Sequence, residues 1–214
     1  MTATDETSTT STQPLRAVAL NCTLKAGGAS SSTDVLLREV LDSLRALGVH
    51  AGEPFRVANH DVKPGVTSDE GDGDDWPILR KAILEADILV LGTPIWMGQP
   101  SSVVKRVLER MDAFLSETDA EGRMVSYGRV AIVAVVGNED GAHHVSAELF
   151  QALNDVGFTI PASGVTYWVG EAMHAVDYKD VHPRPTKTAQ TTATAATNAA
   201  HLAGLLKGTR YPPS

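Results

Sequence analysis

The chain has 214 residues, 43% of them hydrophobic and 21% charged, which is ample material for one core and too little length for two full domains. Its 18 lysines and arginines against 26 aspartates and glutamates give a formal net charge of -8, an argument against a nucleic-acid or anionic-membrane surface and for a small-molecule ligand. The one cysteine, Cys22, excludes an intramolecular disulfide, a thiolate-based structural zinc site and a cysteine-ligated cluster within the chain, and no run approaches the roughly 18 apolar residues of a membrane span; the expectation is a cytoplasmic protein.

Residues 1–14, rich in Thr and Ser, lack the basic and apolar regions of a signal peptide and read as a disordered arm. Leu15 to Leu20 then forms a short strand ending at Asn21, and a polar loop runs to Thr33. Val35, Leu36, Val40, Leu44 and Leu47 mark the stripe of a first helix, which Gly48 closes. Phe55 to Ala58 is a weaker strand, and the acid- and glycine-rich stretch Asp61–Asp75 reads as a solvated loop before the next helix. Asp87 to Leu91 is an all but continuous apolar strand. It is followed by the loop Thr93–Pro100 and by a helix with Pro100 in its first turn and Val103, Val104, Val107, Leu108, Met111 and Leu115 along one stripe.

Val130 to Val136 is another continuous apolar strand. After the loop Gly137–Ala142, Val145, Leu149, Phe150 and Leu153 mark a fourth helix closed by Gly157. Gly164 to Val169 is a fifth strand, and a last helix starts at Pro185 with Ala189, Ala193, Ala196, Ala200, Ala203 and Leu206 at helical spacing. Continuous apolarity means burial on both faces, the mark of parallel strands covered by helices. The alternation predicts one doubly wound α/β domain over residues 15–208 with a tail at 209–214, and ligands of such sheets bind outside the carboxyl ends of the strands.

Three loops lie at those ends. In the first, Ser30, Ser31, Ser32 and Thr33 precede a helix whose first amides lack intrahelical partners, an arrangement suited to a phosphate, although Ser32 or Thr33 acting as a helix cap accounts for part of it. The spacing matches neither a dinucleotide fingerprint nor a Walker P-loop. The second, Thr93-Pro94-Ile95-Trp96-Met97-Gly98-Gln99-Pro100, offers a platform for a flat ring. The third is Gly137-Asn138-Glu139-Asp140-Gly141-Ala142. Adjacent His143 and His144 point about 100° apart on a helix, so no metal site is expected from them. Cys22 reads as a small buried hydrophobe, and no acid–base constellation stands out.

These three loops, within residues 15–170, resemble the flavin-binding loops of the flavodoxin-like NADPH-dependent FMN reductase and quinone reductase group. The resemblance implies a five-stranded parallel sheet in the order 2-1-3-4-5 with FMN at the switch point. By position it places Thr23, Lys25, Ser30, Ser31, Ser32 and Thr33 around the phosphate, Pro94, Ile95, Trp96 and Met97 along the isoalloxazine, and the backbone of Gly137, Asn138 and Gly141 on its pyrimidine side. The chain lacks the cysteines of the group's iron–sulfur members. It further implies NADPH or NADH as co-substrate and chemistry carried by FMN with no catalytic side chain. The acceptor would be a quinone, a nitro or azo compound or free flavin, and the assembly a homodimer or higher homo-oligomer using Tyr167, Trp168 and Met173. A flavodoxin-type electron carrier is the alternative.

Overall fold

The computed structural model describes residues 13–209 and 211–213, so the expected N-terminal arm, up to residue 12, lies outside the described residues. Among the described residues, seven strands and five α-helices follow in chain order: β1 (Arg16–Asn21), α1 (Ser32–Ala46), β2 (His50–Ala51), β3 (Phe55–Arg56), α2 (Trp76–Leu84), β4 (Ile88–Trp96), β5 (Gln99–Pro100), α3 (Ser102–Met111), β6 (Val130–Gly137), α4 (Ala142–Asp155), β7 (Val165–Val169) and α5 (Thr186–Gly208). The sheet order is β2-β1-β4-β6-β7, with β3 also paired to β1. Since β2 and β3 pair in parallel with opposite ends of β1, they are one broken edge strand, and the sheet is the flavodoxin-like 2-1-3-4-5 arrangement.

The apolar strands divide their side chains between two cores by simple alternation. Leu89 and Leu91 of β4 and Ala131, Val133 and Val135 of β6 face one core, which α2, α3 and α4 cover with Trp76, Leu79, Val104, Val107, Val145 and Leu149. Ile88 and Val90, with Val130, Ile132, Ala134 and Val136, face the other, under Leu36, Val40 and Leu44 of α1 and a run of alanines of α5. Burial on both faces is why these strands read as unbroken apolar runs. At Gly92 an added Cβ would come within 2.7 Å of the Leu37 side chain, so α1 reaches the sheet closely just where the first loop leaves it.

These details differ from the sequence reading. First, β4 does not end before Thr93: it continues to Trp96 and turns back through Met97 (φ 54°) and Gly98 (φ 71°) into antiparallel β5, Trp96 opposite Gln99. Two left-handed central residues make a hairpin turn whose twist matches its strands. Pro100 therefore sits in β5, and α3 begins after Ser101, whose hydroxyl accepts from the Val104 amide at 3.2 Å.

Second, α3 ends at Met111 and tightens into a 3-10 turn (Asp112–Ser116), which buries Phe114 and leaves Leu115 51% exposed. Third, the buried stripe of α5 is Thr188, Thr192, Ala195, Ala196, Ala199 and Ala203, while Ala189 and Ala193 are exposed. Threonine occupies the seam because Thr192 meets Thr166 of β7 hydroxyl to hydroxyl at 2.9 Å. Fourth, the Asp61–Asp75 loop is not simply solvated. The buried Arg110 of α3 pairs with Asp74 at 2.7 Å and donates to the carbonyls of Lys63 (3.0 Å) and Thr67 (2.9 Å).

Candidate flavin site

The three loops meet at the carboxyl ends of β1, β4 and β6 around a cleft of about 210 Å³. The first loop is shaped by Asn21, fully buried at the end of β1. Its side-chain oxygen accepts from the Thr23 amide at 3.1 Å and its amide donates to Asp34 at 3.0 Å, which folds the chain back towards α1. The outer half of the loop is held by the Arg56 guanidinium on the Ala29 carbonyl (2.6 Å) and by the Gly27 amide on the Asn59 side chain (2.6 Å).

Ser31, and not Ser32 or Thr33 as the sequence suggests, caps α1, accepting from the Asp34 amide at 3.4 Å. The Ser32 hydroxyl accepts from the Lys179 amide at 3.2 Å and so docks the segment after β7 onto the same helix end. Both hydroxyls keep a proton to donate, and the Ser32 and Thr33 amides, at the first helical turn, have no intrahelical acceptor.

The hairpin is joined to the first loop through buried hydroxyls. Thr93 Oγ1 accepts from the Ser101 amide (3.1 Å), and Ser101 Oγ donates to the Cys22 carbonyl (2.7 Å). Cys22 itself is fully buried, and desolvation pushes its thiol up, which makes it a core residue and no thiolate. On the other side the hairpin is registered to the third loop. Gly137 leaves room for Ile95, since an added Cβ would stand 2.8 Å from that side chain. Glu139 accepts from the turn amides of Met97 (3.0 Å) and Gly98 (3.1 Å), and Gly141 (φ 126°) packs on Gly98, where a Cβ would stand 2.9 Å from its Cα. The segment after β7 closes the remaining side. Asn138 donates to Asp177 (3.2 Å), and buried Tyr178 donates to Glu39 of α1 (2.5 Å) beneath the Arg184 guanidinium.

Of the residues singled out in the sequence, Thr23, Lys25, Ser31, Ser32, Thr33, Pro94, Ile95, Trp96, Gly137 and Asn138 line this cleft together. Three do not. Ser30 is exposed, its carbonyl accepting from Lys25 Nζ at 3.2 Å. Met97 is 90% exposed at the hairpin tip, and Gly141 is taken up by Gly98. The cleft also has Leu24, Val136, Glu139 and Asp177 in its wall, which the sequence reading passed over. Only Glu139, a carboxylate between two loop glycines, carried a local signal; Asp177 arrives from beyond β7. His143 and His144 stand outside the cleft, against the Tyr167 hydroxyl and the Gln99 side chain, each at 3.1 Å.

This donor set fits FMN. Free helix amides, four hydroxyls and the Lys25 ammonium suit a phosphate dianion, while Pro94, Ile95 and the half-exposed Trp96 form a flat wall for a ring system. The two carboxylates at the wall do not oppose an anion freely, because Glu139 is bound to the turn amides and Asp177 to Asn138 and to Lys179 Nζ at 3.2 Å.

Comparison with known proteins agrees with that donor set. Residues 15–174 match the family described as NADPH-dependent FMN reductase. The chain is 31% identical over 208 residues to the 8-demethyl-8-aminoriboflavin-5′-phosphate synthase of Streptomyces davaonensis, covering 92% of this chain and 80% of that one. It is similar at 30% identity and a TM-score of 0.82 to the crystal structure of RosB with bound 8-demethyl-8-formylriboflavin-5′-phosphate, over 92% of this chain and 82% of that one.

It is also 36% identical over 200 residues to the divalent metal cation transporter MntH of Mycobacterium bovis, covering 90% of this chain but spanning only 29% of the transporter's length. Among the described residues no helix is long and apolar enough to cross a membrane. With a matched region that contains all three cleft loops, the chain belongs to the NADPH-dependent FMN reductase family.

Proposed function

We propose that this chain is an NAD(P)H-dependent oxidoreductase that holds FMN in the cleft and passes electrons from NADPH or NADH to a small flat acceptor, a quinone, a nitro or azo compound or free flavin. The observation that carries the reading is the convergence of a phosphate-type helix end, an aromatic hairpin wall and a glycine loop in one cleft, within the region that matches the family. FMN supplies the hydride chemistry when bound. The chain's own part is to bind and orient. Ser31, Ser32, Thr33 and Lys25 anchor the phosphate, Trp96 borders the ring, and the part of the third loop in the cleft wall, at Asn138 and Glu139, supplies backbone N–H donors where negative character develops.

Anaerobic mixing of FMN-loaded protein with NADPH and with NADH tests the reading. Rapid bleaching of the flavin band by either is expected, and no bleaching by either would leave the electron-carrier reading. A second reading, in which the flavin phosphate is itself transformed, is supported by the likeness to a synthase of an aminoriboflavin phosphate. Mass analysis of the flavin after turnover separates the two, since a cofactor returns unchanged. We also propose a homodimer or higher homo-oligomer, in which the exposed Val169, Met173 and Val176 beside the cleft pack on a partner. Tyr167 and Trp168 border that surface half-buried, the Trp168 ring lying against Tyr178 at 5.4 Å. A sedimenting monomer with full turnover would reject the oligomer.

A further inference from the structure

We infer that Glu139 is a positioning residue that sets the aromatic wall of the cleft through the hairpin turn, and with it the fit of flat acceptors. The acceptor half of this inference rests on the proposed function; the structural half does not. The turn is a conformation that needs holding, because Met97 carries a side chain yet adopts φ 54°, a region that few residues other than glycine occupy.

Its two central amides, on Met97 and Gly98, both point to Glu139, which reaches them from a loop 42 and 41 residues further along the chain. Hydrogen bonds from amides to a carboxylate are charge-assisted and stronger than neutral ones. Each carboxylate oxygen takes one amide, so the side chain is directed at the turn.

Two close approaches complete the lock, the Ile95 side chain against Gly137 before the turn and the Gly98 backbone, within the turn, against Gly141. Trp96 stands between these fixed points and is 52% exposed; its position is therefore set by the turn and little by packing. If the turn loosens, the wall moves while the phosphate end, held by α1, stays in place.

Amide hydrogen exchange of the flavin-free full chain tests the structural half directly. Glu139→Ala should speed exchange at Met97 and Gly98 by about tenfold or more, since both acceptors are lost, and Glu139→Gln, which retains one acceptor oxygen, should fall between. In the FMN-loaded protein, assayed at saturating FMN, Glu139→Ala should raise KM for a naphthoquinone by about five- to tenfold with a smaller change in kcat, the pattern of lost acceptor binding.

Leu153→Ala, a core variant that loses stability away from the turn, should show neither change under conditions where it remains folded. Unaltered exchange in Glu139→Ala, or a KM rise that Leu153→Ala reproduces, would overturn the inference. If the parent protein is not reduced by NADPH or NADH, the proposed function fails, and the exchange rates still decide the role of Glu139 on their own.

Discussion

The loop Asn21–Thr33 and the loop Asp61–Asp75 are alike in composition and opposite in what their polar groups do. Both are glycine-containing, hydrophilic and placed between a strand and a helix. In the second, Asp74 accepts from the amides of Lys63 (3.2 Å), Glu70 (2.9 Å) and Trp76 (3.1 Å) and pairs with Arg110, all with the two charged side chains buried. Its hydrogen-bonding capacity is answered internally. In the first, Asn21 and Arg56 fix the shape of the loop, and the helix-end amides with the Ser31 and Ser32 hydroxyl protons are left directed at a cleft. What separates a binding loop from a structural one is thus which donors remain open after the loop has been held, and composition does not report that.

The largest expected effect breaks the closed loop. Arg110→Met leaves Asp74 buried without its cation, and unfolding in denaturant should show a loss of about 3–5 kcal/mol. The FMN affinity of the folded fraction should stay within about twofold of the parent, because the cleft is built from other elements. Equal loss of stability and FMN binding would mean that the two loops are coupled after all.

The open loop should respond in the reverse way. Ser31→Ala combined with Ser32→Ala should weaken FMN by about 2–3 kcal/mol in a fluorescence titration if both hydroxyls meet the phosphate. Stability should fall by only about 1 kcal/mol, the cost of a lost cap. An unchanged FMN affinity would reduce these serines to a cap and a dock for Lys179.

Acid sharpens the same contrast. Burial pulls the Asp74 carboxyl up, but Arg110 and three backbone amides outweigh it and hold the group well below the usual carboxylate range. A depressed carboxyl contributes stability that is complete above its unfolded value, near pH 4, and is lost as pH falls towards the folded value, at up to about 1.4 kcal/mol per pH unit. Unfolding free energy measured against pH should therefore decline below about pH 4, and Asp74→Asn should flatten that decline. The same slope in both proteins would assign the acid sensitivity to other carboxylates.

The smallest effect concerns the wall. Trp96→Ala removes stacking worth about 0.5–1.5 kcal/mol and should change KM or turnover for flat acceptors by roughly two- to tenfold, with FMN still anchored by α1. A variant that loses stability and keeps parental kinetics would return Trp96 to the core.

By itself the sequence determined the fold class, because unbroken apolar runs at Ile88–Leu91 and Val130–Val136 demand burial on both faces, and helical stripes between them supply the cover. It also located all three cleft loops: the first and third follow a change from apolar to polar or glycine residues at a strand end, while the second change, at Gly92–Thr93, falls inside β4. It did not reveal the hairpin. Pro100 suits a helix start as well as a strand edge, and only the left-handed pair Met97–Gly98 and the pairing of Trp96 with Gln99 decide between them.

Nor did it reveal the buried threonine seam of α5, which exists because Thr166 of β7 stands opposite to satisfy the hydroxyls. Glu139 reaches its turn amides across 41 and 42 residues, Asp177 its place beside Asn138 across 39, and Arg110 its carbonyls across 43 and 47. Periodicity records which face a residue shows to the core. Hydrogen-bond partners are brought together by topology, and therefore only the tertiary structure decides them.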